Sequence, residues 1–296
     1  MTPNPFGRVI TAMVTPMHED GSIDFESLAS LARHLADNGH DGLLVNGTTG
    51  ESATTTDEED YECVRVVVEA VGDRVSVIAG CGTNDTEHSA RAAGEMAERG
   101  ADALLVVTPY YNKPTQAGIV EHFRQVAKAG NGLPIMAYDI PGRTGLALTS
   151  DTIRELDRIE EVKALKDAKG NLFEASRIMA ETDLLWFSGE DELNLAHLAQ
   201  GAVGIVSVVG HLAGNQYREM IEAIDAGNIS QARDIHRRLI PIVDALMHTS
   251  QGTIQVKAAL KMQGIISSDR LRMPLLQGPQ EHRDKIVSAL EASGLG

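Results

Sequence analysis

Lys166 closes the apolar run Val162-Lys163-Ala164-Leu165, where a buried strand gives way to the turn Asp167–Gly170. Lysine is among the residues least often buried, so its place there asks for a reason. A solvated amine with a pKa near 10.4 is no nucleophile at neutral pH. Desolvation disfavours the charged form, and a neutral amine attacks a ketone to give a Schiff base, an electron sink. That chemistry needs a proton shuttle and an anion site. A tyrosine linked through a threonine hydroxyl to a second tyrosine supplies the shuttle, because each hydroxyl both donates and accepts. Tyr138, Thr48 and Tyr111 are of these types. Backbone N–H groups and hydroxyls in the turn "GTTG" (47–50), which holds Thr48 and Thr49, suit a keto-acid carboxylate. Arg143 suits a second carboxylate, held through its guanidinium fork.

The elements that must bring these residues together are short apolar runs. They are "RVITAM" (8–13), "GLLVNG" (42–47), "VSVIAG" (75–80), "ALLVVT" (103–108), "PIMAYD" (134–139), "VKALKD" (162–167), "LLWFSG" (184–189) and "GIVSVV" (204–209). Most lack polar alternation, as strands covered on both faces do. Between them lie helical spacings such as Leu28, Leu31, Ala32 and Leu35, or Ile119, Phe123 and Val126. Eight strands alternating with helices predict a (β/α)8 TIM barrel. The rival, an open doubly wound sheet, would usually carry GxGxxG after its first strand, and "GCGTND" (80–85) has only two of those glycines. The remaining chain reads as helices only, so residues 1–225 form the barrel and 226–296 a C-terminal helical region packed on it.

Barrel active sites form at the C-terminal ends of the strands. Those ends carry Thr48, Thr49 and Glu51 after strand 2, and Tyr110 and Tyr111 after strand 4. Tyr138 and Arg143 follow strand 5, Lys166 ends strand 6, Gly189 ends strand 7, and Val206 lies in strand 8. Period-2 alternation puts Lys166 with Ala164 on one face and Leu165 on the other, so Lys166 and Tyr138 point inward if Leu165 and Ala137 face the helices. Each residue alone has an ordinary reading: a solvated strand end, a turn, loop packing, a surface charge. Their coincidence at one end of one barrel favours chemistry.

Bulk properties exclude other classes. A net charge of −16 over 296 residues gives no electrostatic footprint for nucleic acid or an anionic membrane. The N-terminus lacks the pattern of a signal peptide, and no apolar run spans a bilayer. Cys63 and Cys81 form no CxxC pair, so neither a disulfide framework nor a zinc site is expected, and a reducing cytoplasm fits. The ten histidines are scattered, with satisfied or surface roles expected, and no HExxH motif calls for a metal.

"GTTGES", "TPYYNKP", "YDIPGRTG" and "LKDAKG", in this order, resemble the pyruvate-dependent Schiff-base aldolases, and within them the dihydrodipicolinate synthase family. The resemblance runs from "TAMVTPM" (11–17) to the C-terminal helices. It implies a lyase that condenses pyruvate with L-aspartate 4-semialdehyde on the diaminopimelate–lysine route, without a cofactor, as a homotetramer built of tight dimers. By motif Lys166 is the Schiff-base lysine, Tyr138 the adjacent proton-transfer group and Thr48 the relay threonine. Thr49 is the pyruvate-carboxylate binder, and Tyr111 a relay tyrosine lent across a dimer interface. Arg143 takes the semialdehyde carboxylate, and the backbones of Gly189 and Val206 line the site. Sister enzymes, N-acetylneuraminate lyase and 2-keto-3-deoxy-sugar-acid aldolases, share the Schiff base; Arg143 argues against the first. A barrel that binds without turnover is the alternative of another class. Two departures stand out: Asp139 where the family often has Asn, and Asp167-Ala168-Lys169 where Glu-Ala-Thr or Glu-Ala-Ser is frequent. Asp139 is expected to add charge near the site and retune Tyr138 or Lys166. Asn84 and Tyr110 match the pattern of members inhibited by lysine, but Thr54-Thr55-Thr56-Asp57, Asp60 and His88 stand where the histidines and glutamate around that ligand are expected, so weak or absent lysine inhibition is expected.

Overall fold

The computed structural model describes residues 4–295. Eight parallel strands close on themselves: β1 (Val9–Ala12), β2 (Gly42–Val45), β3 (Ser76–Gly80), β4 (Ala103–Val107), β5 (Ile135–Asp139), β6 (Val162–Asp167), β7 (Leu185–Ser188) and β8 (Gly204–Ser207). They pair in chain order, and β8 returns to β1 with Thr11 beside Ser207. Every strand falls within one of the eight apolar runs. The expected (β/α)8 TIM barrel with C-terminal helices is what forms.

Two apolar layers explain the missing polar alternation. Inward side chains, among them Ile10, Leu44, Ile78, Leu105, Met136, Ala164, Phe187 and Val206, fill the barrel. Outward ones, among them Leu43, Val77, Leu104, Ala137, Leu165, Trp186 and Ile205, pack under the helices. Leu165 and Ala137 therefore face the helices, which directs Lys166 and Tyr138 inward. In the register, Tyr138 on β5 lies directly beside Lys166 on β6.

Caps set where the helices start. Thr56 and Glu59 form a reciprocal capping box at the head of the helix Asp57–Val71, so the loop after β2 stops short and "GTTGES" stays at the barrel mouth. Thr115, directly after "TPYYNKP", caps the helix Gln116–Ala129 with a single bond, its hydroxyl accepting from the Gly118 N–H.

The helix Gly210–Asp225 follows β8, and the helix Ile229–Val243 packs against it. Then come the helix Gly252–Met262 and the last helix, Gln280–Ser293. Gly252–Met262 reaches back over the mouth: Thr253 Oγ1 donates to the carbonyl of Thr49 at 3.2 Å. Among the described residues no helix is long and apolar enough to cross a membrane. Cys63 and Cys81 are both buried and free.

Candidate active site

The Lys166 side chain ends within the barrel, only 6% exposed. Its Nζ lies 4.1 Å from the centroid of the Tyr138 ring. Burial is the main influence on the amine and lowers its pKa from 10.5 to about 7. The carboxylate of Asp191 opposes the fall, and the Arg143 guanidinium adds to it. No carboxylate is hydrogen-bonded or ion-paired to Lys166 among the described residues. Near neutrality the amine is thus divided between its two protonation states, as a nucleophile requires. Burial also pushes the Tyr138 phenol well above its ordinary pKa, so it is held as a proton donor.

A cavity of about 660 Å³ opens beside this pair, its walls including Thr48, Tyr138, Arg143 and Tyr110. Lys166 itself is not part of the wall, whereas the Tyr138 ring that its amine touches is. Thr48 to Gly50 make one turn of 3₁₀ helix, and the leading N–H groups of such a turn lack internal acceptors. Thr48 is exposed toward the mouth, whereas Thr49 is buried. Arg143 is exposed on the short turn Pro141–Thr144 at the rim. Gly189 approaches the nucleophile so closely that a Cβ there would stand 3.0 Å from Lys166 Cγ and from the Asp167 carbonyl. Val206 is buried on the inner face of β8.

Tyr111 stands outside this cavity. It is 87% exposed, with φ at +70°, a region that costs a bulky residue strain. Its own N–H reaches the Thr144 carbonyl at 3.3 Å, which fixes the backbone while the ring points out of the chain.

The two departures turn out to be one feature. Asp139 follows Tyr138 in β5, so alternation turns it away from the mouth and under the helices. It accepts from the Leu148 N–H at 3.2 Å, and Lys169 Nζ stands 3.7 Å from it. Lys169 also pairs with Glu174 at 3.0 Å and donates to the Leu148 carbonyl at 2.9 Å. The expectation that Asp139 retunes Tyr138 or Lys166 is therefore corrected: its charge is answered locally by Lys169, outside the barrel. Burial nonetheless raises Asp139 to about 7, against the opposing pull of Lys169.

Sequence reasoning missed Asp191. It is buried, and accepts from Ser207 Oγ, Asn194 Nδ2, Tyr217 Oη and the backbone N–H groups of Val208 and Val209. Among the influences on the Lys166 amine, Asp191 is the one that opposes the loss of its proton. Its neighbours come from three elements, so no local spacing marks it. Among the histidines, His40 and His211 are buried and hydrogen-bonded as expected. His197 is not: among the described residues neither buried ring nitrogen has a partner.

The chain is similar to known proteins over nearly its whole length. The profile of the Dihydrodipicolinate synthetase family matches residues 5–293. The 4-hydroxy-tetrahydrodipicolinate synthase of Kineococcus radiotolerans is 50% identical over 98% of this chain and 94% of its own length. A protein of Streptomyces coelicolor named 4-hydroxy-tetrahydrodipicolinate synthase 2 is 48% identical over 98% and 96%. The crystal structure of DHDPS from Cyanidioschyzon merolae with lysine bound superposes with a TM-score of 0.96 at 43% identity, covering 99% of this chain and 100% of that one. Barrel, buried amine and full-length likeness agree, and the chain belongs to the dihydrodipicolinate synthetase family.

Proposed function

We propose that this protein is a 4-hydroxy-tetrahydrodipicolinate synthase, which captures pyruvate on Lys166 and condenses it with L-aspartate 4-semialdehyde. The observation that carries this reading is the Lys166 amine, buried against Tyr138 and brought to a pKa of about 7 without an ion-paired carboxylate. The neutral amine adds to the keto carbon, and loss of water gives the imine. The imine draws electrons from the adjacent methyl, which loses a proton and attacks the aldehyde carbon, whose oxygen takes up a proton. The amine of the semialdehyde then displaces Lys166 from the imine carbon, closing the ring and freeing the lysine. No metal or organic cofactor enters this scheme.

Tyr138 is suited to hand a proton to the departing oxygen, with Thr48 next in the relay. The "GTTG" turn and Thr49 receive the keto-acid carboxylate. Arg143, exposed at the rim, receives the carboxylate of the semialdehyde. Gly189 and Val206 shape the space around the nucleophile. Tyr111 completes the relay in a second copy of the chain; its strained, outward ring supports that role. We read the assembly as a homotetramer of dimers working in the cytoplasm, where free buried cysteines such as Cys63 and Cys81 persist.

Incubation with pyruvate and borohydride, followed by peptide mass analysis, tests the scheme. A reduced adduct on the Lys166 peptide is expected, and an unmodified peptide overturns the reading. Arg143→Gln should raise KM for the semialdehyde and leave adduct formation intact. Turnover of 2-keto-3-deoxy-sugar acids in preference to the semialdehyde would move the protein to a sister activity.

A further inference from the structure

The C-terminal helical region touches the mouth through one buried ion pair. Lys257 lies on the helix Gly252–Met262 and is 0% exposed. Its Nζ donates to Glu51 Oε1 at 2.5 Å and to the Arg270 carbonyl at 2.8 Å. The other carboxylate oxygen of Glu51 accepts from the Arg272 N–H at 2.9 Å. Glu51 itself closes the "GTTG" turn, with φ at +63° and its N–H on the Thr48 carbonyl. One turn of this helix away, Thr253 bonds the Thr49 carbonyl.

We propose that Glu51, Lys257 and Thr253 are positioning residues, which fix the Thr48–Thr49 turn in the shape that receives the keto-acid carboxylate. Two physical points support this. A non-glycine residue in the left-handed region persists only when its surroundings over-determine it. Here the surroundings of Glu51 are a buried cation and a backbone donor, both supplied from the C-terminal region. A buried pair is also a poor source of stability compared with apolar packing, so a geometric role accounts for its place beside the turn. None of the three residues is placed on the reacting atoms. The inference rests on the function proposed above.

The test compares two variants with the wild type. Thr253→Val keeps the shape of the side chain and deletes its bond to the turn. Glu51→Gln combined with Lys257→Met removes both charges together, so neither is stranded. KM for pyruvate should rise roughly tenfold in the double variant and severalfold in Thr253→Val, with KM for the semialdehyde within about twofold of wild type. A smaller folded fraction would lower kcat and leave KM unmoved, so the KM shift separates positioning from stability. Thr253→Val, nearly isosteric, keeps the test open should the double variant fail to fold. An unmoved pyruvate KM in the folded variants, with Lys166 still trapped by borohydride, overturns this inference alone. A wild-type Lys166 that cannot be trapped overturns the proposed function and this inference with it.

Discussion

Two lysines lie buried at this end of the barrel, and they are opposites. Lys257 meets a carboxylate at 2.5 Å, while Lys166 meets an aromatic ring. Burial pulls both pKa values down, but at Lys257 the contact with Glu51 works against that pull. The first lysine is therefore a fixed cation that braces a turn. The second is left near the point where it gives up its proton. Burial alone does not make a nucleophile; burial without a bonded counter-charge does. Lys169 is a third case, held by Asp139 and Glu174 outside the barrel.

Removing each amine should push the protein in opposite directions. Lys166→Ala is expected to abolish the borohydride adduct, lower turnover by about a thousandfold or more, and still fold. It should also alter the pH dependence of stability. The unfolded chain keeps the Lys166 proton up to about 10.5 and the fold gives it up at about 7. The cost of burying this amine is thus full below about 7 and fades as pH rises toward 10.5. Wild type should gain melting temperature relative to the variant across that window; parallel Tm curves would refute the assignment. Activity should rise through an acid limb with an apparent pKa near 7. Lys257→Ala does the reverse. It strands the Glu51 carboxylate and should destabilise the fold by about 3–5 kcal/mol in denaturant titration.

Tyr111→Phe sharpens the contrast between capture and relay. Adduct formation should persist while kcat falls by roughly a hundredfold, and an unchanged kcat removes Tyr111 from the relay. A double-mutant cycle on Asp139→Asn and Lys169→Thr should show a coupling of about 1 kcal/mol in stability, with the acid limb of activity unmoved. A shifted limb would restore Asp139 to the catalytic site. The smallest effect is expected from free L-lysine. Asp57 is already bonded to His88 at 2.9 Å, and Asp60 accepts from Thr55 at 2.7 Å, so acceptors in the outer cavity are engaged within the chain. Strong inhibition at submillimolar lysine would reject that expectation.

The barrel was legible because strands buried on both faces appear as unbroken Val, Ile and Leu runs, and Lys166 was legible as the break in one of them. The direction of Lys166 needed structure, because alternation says only that Leu165 faces the other way. Glu51 drew notice as part of a strand-end motif, but its partner Lys257 is 206 residues distant. One local clue existed: Lys257 sits on the same helical stripe as Thr253, Val256 and Leu260, where a charge is out of place. Asp139 and Lys169 are separate departures in the sequence, and only their meeting on the outer side of the barrel joins them into one feature. Asp191 left no trace, since its meaning lies in donors drawn from separate elements.

The outward ring of Tyr111 makes activity a matter of dilution. If a chain borrows that hydroxyl from a neighbour, a solution thinned until the chains separate should still fold and still capture pyruvate. Its turnover per chain should nonetheless decline, and return on concentration without any refolding.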